Sequence, residues 1–91
     1  LSKSERKTAA NISRTLFKSR IFAATNSLSN TKKFVIDTIN AINGLQVEYY
    51  EIVDGNTLQP INSWDDSKYI VGCITVQCGK VRLIDNIKYK E

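Results

Sequence analysis

Histidine and methionine are both absent from this 91-residue chain, which also has a single proline and only two cysteines. Without histidine, the sequence lacks the commonest general base and metal ligand at neutral pH. Its apolar runs are only a few residues long, whereas a membrane-spanning helix needs about 20 apolar residues. The apolar segment of a secretory signal is missing as well. These absences argue against a histidine-based active site, a membrane protein and a secreted protein.

The two cysteines, Cys73 and Cys78, are predicted to be free thiols. If they share one extended segment, five residues at about 3.3 Å each separate them by about 16 Å, which is beyond disulfide reach. Two thiols without histidine also do not make a zinc site of the usual kind. We interpret them as small half-buried side chains in a reducing cytoplasm. The four glycines form neither a Walker A loop nor a dinucleotide-binding fingerprint.

The composition is that of one small domain, with 42% hydrophobic and 24% charged residues. Residues 1–91 are therefore predicted to form a single domain. Because the chain starts at Leu1 and has no Met, we expect it to be part of a longer protein. Its net charge of +4 is unevenly distributed. Residues 1–24 carry a net +5 and the remainder a net −1, so the excess positive charge belongs to the first segment.

The first segment is predicted to be an amphipathic helix over residues 3–23. Ser2 and Glu5 have the spacing of a capping box, in which a hydroxyl and a carboxylate satisfy the first backbone amides reciprocally. At about 100° per residue, one narrow arc is apolar. It comprises Ala9, Ile12, Leu16 and Ala23. Four cations lie almost opposite, and we call them the basic stripe: Lys3, Lys7, Arg14 and Lys18.

The rest of the chain predicts one more helix and three strands. A polar linker over 25–30 precedes helical spacing from Lys32 to Asn43, where Asn43-Gly44 suits a helix C-cap. Alternating apolar residues predict strands over 45–53, 69–77 and 81–89. Asp54-Gly55-Asn56 turns the chain, and Cys78-Gly79-Lys80 joins the last two strands as a hairpin. We therefore predict an α+β two-layer sandwich: a three-stranded antiparallel sheet with two helices packed on one face.

The loop before the second strand is predicted to carry no catalytic chemistry. Trp64 is expected to fold back onto the body of the domain. Asp65 and Asp66 resemble a carboxylate pair, but adjacent aspartates in a polar loop are more typical of a turn or a helix cap. No other grouping makes a self-sufficient active site.

Two further functions remain open from composition alone. The basic stripe is compatible with a small nucleic-acid-binding module, although the aromatic residues show no RNA-binding pattern and the rest of the chain is slightly acidic. A solvated helix face explains the same charges. A domain that self-associates through an exposed sheet edge is a third possibility.

Two segments in order resemble a known enzyme family. VEYYEIVDGNTLQP (47–60) is similar to a Tyr-x-x-Ile/Val-x-Asp-x-x-Thr-Leu-x-Pro motif, through Tyr49, Ile52, Asp54, Thr57, Leu58 and Pro60. GKVRLIDNI (79–87) resembles the Gly-x-x-Arg-Leu-Ile-Asp-Asn motif near the end of the same family. Leu1-Ser2 with Glu5-Arg6 resembles the Leu-Ser-x-x-Glu-Arg that begins a helix there. The family is pantothenate synthetase (pantoate–β-alanine ligase), and the chain resembles its carboxy-terminal domain.

The resemblance implies an ATP-dependent, AMP-forming ligase of pantothenate and coenzyme A biosynthesis. Pantoate is adenylated with release of pyrophosphate, and β-alanine then attacks the adenylate to give pantothenate and AMP. ATP and Mg²⁺ would be bound by an amino-terminal nucleotide-binding domain, which is the partner of this domain in a cytoplasmic homodimer. The present chain would be a lid that is inactive alone. The resemblance places no catalytic, cofactor-binding or metal-binding residue in it, and no nucleic-acid or membrane partner.

The last predicted strand carries three polar residues whose role the sequence leaves open. In an extended strand, Asp85 shares a face with Val81, Leu83 and Ile87, whereas Arg82 and Asn86 point the other way. A carboxylate on the apolar face needs a partner, so Asp85 is expected to tie the strand to the 54–60 turn or to a helix start. Arg82 and Asn86 are expected either to be structural or to reach the larger domain.

Overall fold

The structure, a computed structural model, describes residues 2–91 and has two layers. One layer is helical and the other is an antiparallel sheet, which confirms the predicted fold class. In chain order the elements are α1 (Lys3–Ala23), α2 (Leu28–Asn40), β1 (Leu45–Asp54), a 3-10 turn (Trp64–Asp66), β2 (Ile70–Cys78) and β3 (Val81–Lys90).

Helix α1 begins at the predicted capping box. The Ser2 hydroxyl accepts the Glu5 N–H at 3.1 Å, and the Glu5 carboxylate accepts the Ser2 N–H at 2.8 Å. Hydrogen bonding of the Glu5 carboxyl to the Ser2 N–H, and next to the Ser2 hydroxyl, lowers the pKa of that carboxyl. Leu1, which the sequence places before this cap, lies outside the described residues.

The predicted bounds of the second helix are wrong at both ends. Helix α2 starts at Leu28, where the Ser27 hydroxyl accepts the Asn30 N–H. The Leu28 side chain is buried in the core, which draws the first turn into the helix. The helix ends at Asn40, and Gly44 adopts its positive φ of 87° in the turn that follows.

The sheet is a simple meander with the strand order β1-β2-β3. The register between β1 and β2 shifts around Glu48, which marks a β-bulge in the edge strand. Cys78 pairs with Val81 across the second hairpin, leaving Gly79 and Lys80 as its loop. Gly79 has a φ of +61°, the left-handed conformation that such tight hairpins need. The predicted hairpin is thus confirmed.

Both helices pack on the same face of the sheet, which we call the inner face. Helix α1 lies against β3 and helix α2 against β1. Inner-face residues of the strands and the apolar faces of the helices form one buried core. Its members are Ile12, Leu16, Leu28, Val35, Ile39, Tyr50, Ile52, Ile70, Ile74 and Val76.

Neither helix covers the opposite side of the sheet, the outer face, although Val53, which lies on that face beside Pro60, is buried. The strand register places alternate residues there. One row across the three strands of this face consists of Tyr49, Thr75 and Ile84. The next row consists of Glu51, Cys73 and Asn86. Tyr49 and Ile84 are 48% and 78% exposed, and the β2 residues between them are half-buried. We call the apolar part of this face the outer patch: Tyr49, Val71, Cys73, Thr75 and Ile84.

The loop between β1 and β2 is tightly tied at its base. The Asp54 carboxylate accepts the N–H groups of Asn56 and Thr57 at 2.7 and 3.0 Å. Hydrogen bonding from the Ser67 hydroxyl, followed by these two amides, lowers the pKa of Asp54. Leu58 is exposed and adopts a φ of +61°, a conformation that costs a residue with a Cβ about 1–2 kcal/mol.

No helix among residues 2–91 is both long and apolar enough to cross a membrane.

Candidate functional site

The basic stripe is exposed along α1, as predicted, but it is not purely basic. All four of its side chains lie at the surface. Phe17 and Ile21 are also exposed there, at 59% and 64%. At about 100° per residue, Ile21 falls among the stripe lysines and Phe17 at their edge. The helical positions of Phe17 and Ile21 were readable from the sequence, but a division of α1 into one apolar and one charged face leaves them out.

Arg82 lies on the outer face, as its position in the strand predicts. Its guanidinium Nε is 3.2 Å from a carboxylate oxygen of Glu48, the residue at the bulge of β1. The pair therefore crosses the full width of the sheet. Both side chains reach solvent, so the pair contributes at most about 1 kcal/mol.

Asp85 lies on the inner side of β3, as predicted, but its predicted long-range tie is wrong. Its carboxylate accepts the N–H of Asn86, its immediate neighbour, at 2.8 Å. The 54–60 turn has no need of Asp85, because Asp54 already binds the turn amides. Both helix starts are likewise capped by their own serines. Asp85 is half-exposed, so water solvates the rest of the carboxylate.

Asn86, the third polar residue of the strand, is exposed on the outer face opposite Cys73. The polar trio is therefore divided: Arg82 and Asn86 flank the exposed Ile84, while Asp85 faces the helices. No reacting centre can form from groups that point to opposite sides of one strand.

A chain of hydroxyl groups crosses the inner face and joins the two layers. Ser19 donates to the Leu16 carbonyl at 2.6 Å, which leaves its oxygen to accept from Tyr89 at 2.7 Å. Tyr89 in turn accepts from the Tyr50 hydroxyl. Burial, the largest cause, raises the pKa of both tyrosines. Both tyrosines therefore stay protonated, and the hydrogen-bonded groups connect β1, β3 and α1. We call this chain the hydroxyl brace: Ser19, Tyr89 and Tyr50.

Gly72 makes room for this brace. A Cβ at that position would lie 2.4 Å from the Tyr50 hydroxyl oxygen and 2.9 Å from Tyr89 Cε2. Real Cβ atoms do not approach other atoms so closely, so a side chain there displaces the tyrosines. The sequence indicated a β-rich segment here but gave no sign that its glycine is sterically required.

A cleft of about 330 Å³ opens at the end of α1 beside the long loop. Trp64 forms one wall, and its indole Nε1 donates to the Asn26 carbonyl at 2.9 Å. Its ring lies 5.1 Å from that of Tyr89, and Lys90 donates to the Trp64 carbonyl at 2.9 Å. The prediction that Trp64 folds back onto the body is thus confirmed. Six residues line the cleft: Arg20, Ala23, Ala24, Trp64, Tyr89 and Lys90.

The other candidate groups have structural roles. Asp66 accepts the N–H groups of Asn62 and Ser63 and so caps the 3-10 turn, which confirms the cap interpretation. Cys73 and Cys78 are free and half-buried on the same strand, as predicted. Across residues 2–91, no three Cys, Asp or Glu side chains converge to form a possible metal site.

The fold defines the class of the protein as a small two-layer α+β domain with a three-stranded antiparallel sheet. A sequence model of the family described as pantoate-beta-alanine ligase matches residues 1–88. The chain belongs to this family. The resemblance deduced from its motifs is thereby confirmed.

Individual relatives agree with this assignment. The chain is 65% identical over all 91 residues to a pantothenate synthetase of Bacteroides fragilis (strain YCH46), and it covers 32% of that protein. It is 37% identical over 92 aligned positions to a pantothenate synthetase of Clostridioides difficile (strain 630). A crystal structure of pantothenate synthetase from Thermus thermophilus superposes with a TM-score of 0.84 at 26% identity. That alignment covers the whole chain and 33% of the Thermus protein, so this chain spans about a third of the length of its relatives.

Proposed function

We propose that this chain is the carboxy-terminal lid domain of a two-domain enzyme that condenses pantoate with β-alanine at the expense of ATP. One observation carries the proposal: the whole chain aligns at 65% identity with a third of a pantothenate synthetase. The other two thirds would supply an amino-terminal nucleotide-binding domain.

The proposed reaction has two steps. A carboxylate oxygen of pantoate attacks the α-phosphorus of ATP, and pyrophosphate leaves. The β-alanine amine then attacks the acyl carbon of the adenylate, AMP leaves with the former carboxylate oxygen, and the amine loses a proton. Mg²⁺ supplies charge neutralisation on the phosphates. We assign ATP and Mg²⁺ to the amino-terminal domain, as the resemblance to the family implies.

The contribution proposed for this domain is closure of the active site. An acyl-adenylate that meets water hydrolyses instead of reacting with the amine, so a lid that excludes water raises the yield of the second step. A body that moves as a unit suits that task. The single core and the hydroxyl brace support this role, because they link both layers of the domain.

The direct test compares the full-length protein with the 91-residue chain. Full-length protein supplied with pantoate, β-alanine, ATP and Mg²⁺ is expected to form pantothenate, AMP and pyrophosphate in equal amounts. The 91-residue chain is expected to form none of them. Failure of the full-length protein to make pantothenate would contradict the proposal.

We also propose that the full-length enzyme is a cytoplasmic homodimer that associates mainly through its larger domain. Sedimentation of the full-length protein and of the 91-residue chain should then give a dimer and a monomer, respectively. A 91-residue chain that dimerises as strongly as the full-length protein would contradict this arrangement.

A further inference from the structure

The outer patch is an apolar surface that spans all three strands. Tyr49, Thr75 and Ile84 form one row of the register, and Ile84 is 78% exposed. Cys73 lies at the centre of the next row, and Val71 one pair further along β2. Scattered exposed apolar residues are ordinary, but a contiguous group marks an interaction surface.

Ion pairs frame this patch at opposite corners. The Arg82–Glu48 pair lies beyond the row of Tyr49 and Ile84. At the β1 edge, Glu51 pairs with Lys32 of α2. An apolar centre with a charged rim is the usual composition of a protein interface. The exposed apolar side chains of α1 differ, because Phe17 and Ile21 lie among the cations of the basic stripe.

The length of the relatives indicates what covers this face. In the Bacteroides fragilis and Thermus thermophilus relatives, about two thirds of the polypeptide lies outside the matched region. Covalent connection gives such a segment a high effective concentration, so a patch of modest size suffices for docking. Domains within one chain typically share interfaces of about 600–1,500 Å², a size compatible with one face of a three-stranded sheet.

We propose that the outer patch is the surface through which this domain packs against the larger domain of the full-length protein. The proposal rests on the proposed function, because it uses the same two-domain arrangement. It assigns Ile84 and Tyr49 as the apolar contacts, with Arg82 and Asn86 beside them on the same face. The GKVRLIDNI motif (79–87) is thereby assigned a role, because its residues on the outer face, Arg82, Ile84 and Asn86, would face the larger domain.

The chain contains its own probe of this contact. Cys73 lies within the patch, whereas Cys78 lies on the inner side of β2 with its Sγ 3.7 Å from Thr8 Oγ1. A maleimide should therefore label Cys73 of the 91-residue chain readily. In the full-length protein, docking should slow labelling of Cys73 at least about tenfold, the ratio that corresponds to about 1.4 kcal/mol. Mass spectrometry of the Cys73 and Cys78 peptides separates the two rates.

Two matched variants of the full-length protein complete the experiment. Ile84→Lys should restore the labelling rate of Cys73 to that of the 91-residue chain. Ile21→Lys makes the same chemical change at a similarly exposed position on the other layer, and Cys73 should stay protected. Tyr49→Lys, at the other end of the row, should act like Ile84→Lys. Unchanged labelling of Cys78 reports that each variant remains folded.

Several outcomes would overturn the inference. One is equal labelling of Cys73 in the full-length protein and in the 91-residue chain; another is continued protection of Cys73 in both Ile84→Lys and Tyr49→Lys. Protection in the 91-residue chain that grows with concentration would identify a second copy as the occupant instead. A full-length protein that makes pantothenate but leaves Cys73 reactive would refute the docking surface alone. Protection of Cys73 without pantothenate synthesis would refute the proposed function alone.

Discussion

Replacing Gly72 by Ala tests whether the tyrosines of the hydroxyl brace leave no room for a side chain at this position. The added Cβ would lie 2.4 Å from the Tyr50 hydroxyl oxygen and 2.9 Å from Tyr89 Cε2. Overpacking of a core by one methyl group costs about 1–3 kcal/mol. Because the Tyr50 ring belongs to the core and Tyr89 packs against it, we expect the cost of Gly72→Ala to lie in the upper half of that range.

Removing the obstructing hydroxyl should relieve part of that cost. Tyr50→Phe alone loses one hydrogen bond to Tyr89, worth about 1 kcal/mol, while Tyr89 keeps its bond to Ser19. In the double variant the closest contact disappears, although Tyr89 Cε2 at 2.9 Å and the Tyr50 ring carbon at 3.0 Å remain. The double variant should therefore be at least about 0.5–1 kcal/mol more stable than the sum of the single effects predicts, a coupling typical of residues in contact.

Urea unfolding of the 91-residue chain measures the three free energies. Trp64, the only tryptophan, reports the packing beside Tyr89, and far-UV circular dichroism reports the whole fold. The control combines Tyr50→Phe with Thr75→Ala, which shortens a side chain on the outer side of β2, the strand that contains Gly72. That pair should be additive within about 0.5 kcal/mol. Additivity of Gly72→Ala with Tyr50→Phe would refute the steric argument.

Three further predictions concern single features of the fold. Ser2→Ala removes the N-cap of α1 and should lower the free energy of unfolding by about 1 kcal/mol; a loss below the error of urea unfolding would show that the cap is dispensable. Leu58→Gly should raise the free energy of unfolding by up to about 1 kcal/mol, because glycine adopts a positive φ without the penalty that a Cβ imposes. Leu58→Ala is its control and should not stabilise the chain; equal stabilisation by both would exclude the backbone explanation. Because burial raises the pKa of Tyr50 and Tyr89, the unfolded chain loses their protons above about pH 10 while the native state keeps them. The free energy of unfolding should therefore fall as the pH rises above about 10, and Tyr50→Phe should reduce this slope; an identical slope would contradict the effect of burial.

Local chemistry was readable from the sequence wherever both partners lie a few residues apart. The Ser2–Glu5 spacing located the start of α1, and the alternation in β3 assigned Arg82 and Asp85 to opposite faces. Gly79 marked the second hairpin. In each case the physical cause, a cap, a two-residue period or a left-handed turn, operates within the segment itself.

The features that sequence reasoning missed depend on partners far away in the chain. The start of α2 required a choice among several possible caps, and burial of Leu28 against the core decided it. The partner of Asp85 could not be deduced without knowing that Asp54 satisfies its own turn. The cleft brings together Arg20, Trp64 and Tyr89, which no periodicity relates.

The contact between α1 and β3 joins the first helix of the domain to its last strand. The Ser19–Tyr89 bond connects residues that are 70 positions apart. A ribosome makes α1 early, whereas β3, which packs against α1, is the last of the described elements to emerge from the exit tunnel. The domain therefore completes its core only after nearly all of it has been synthesised.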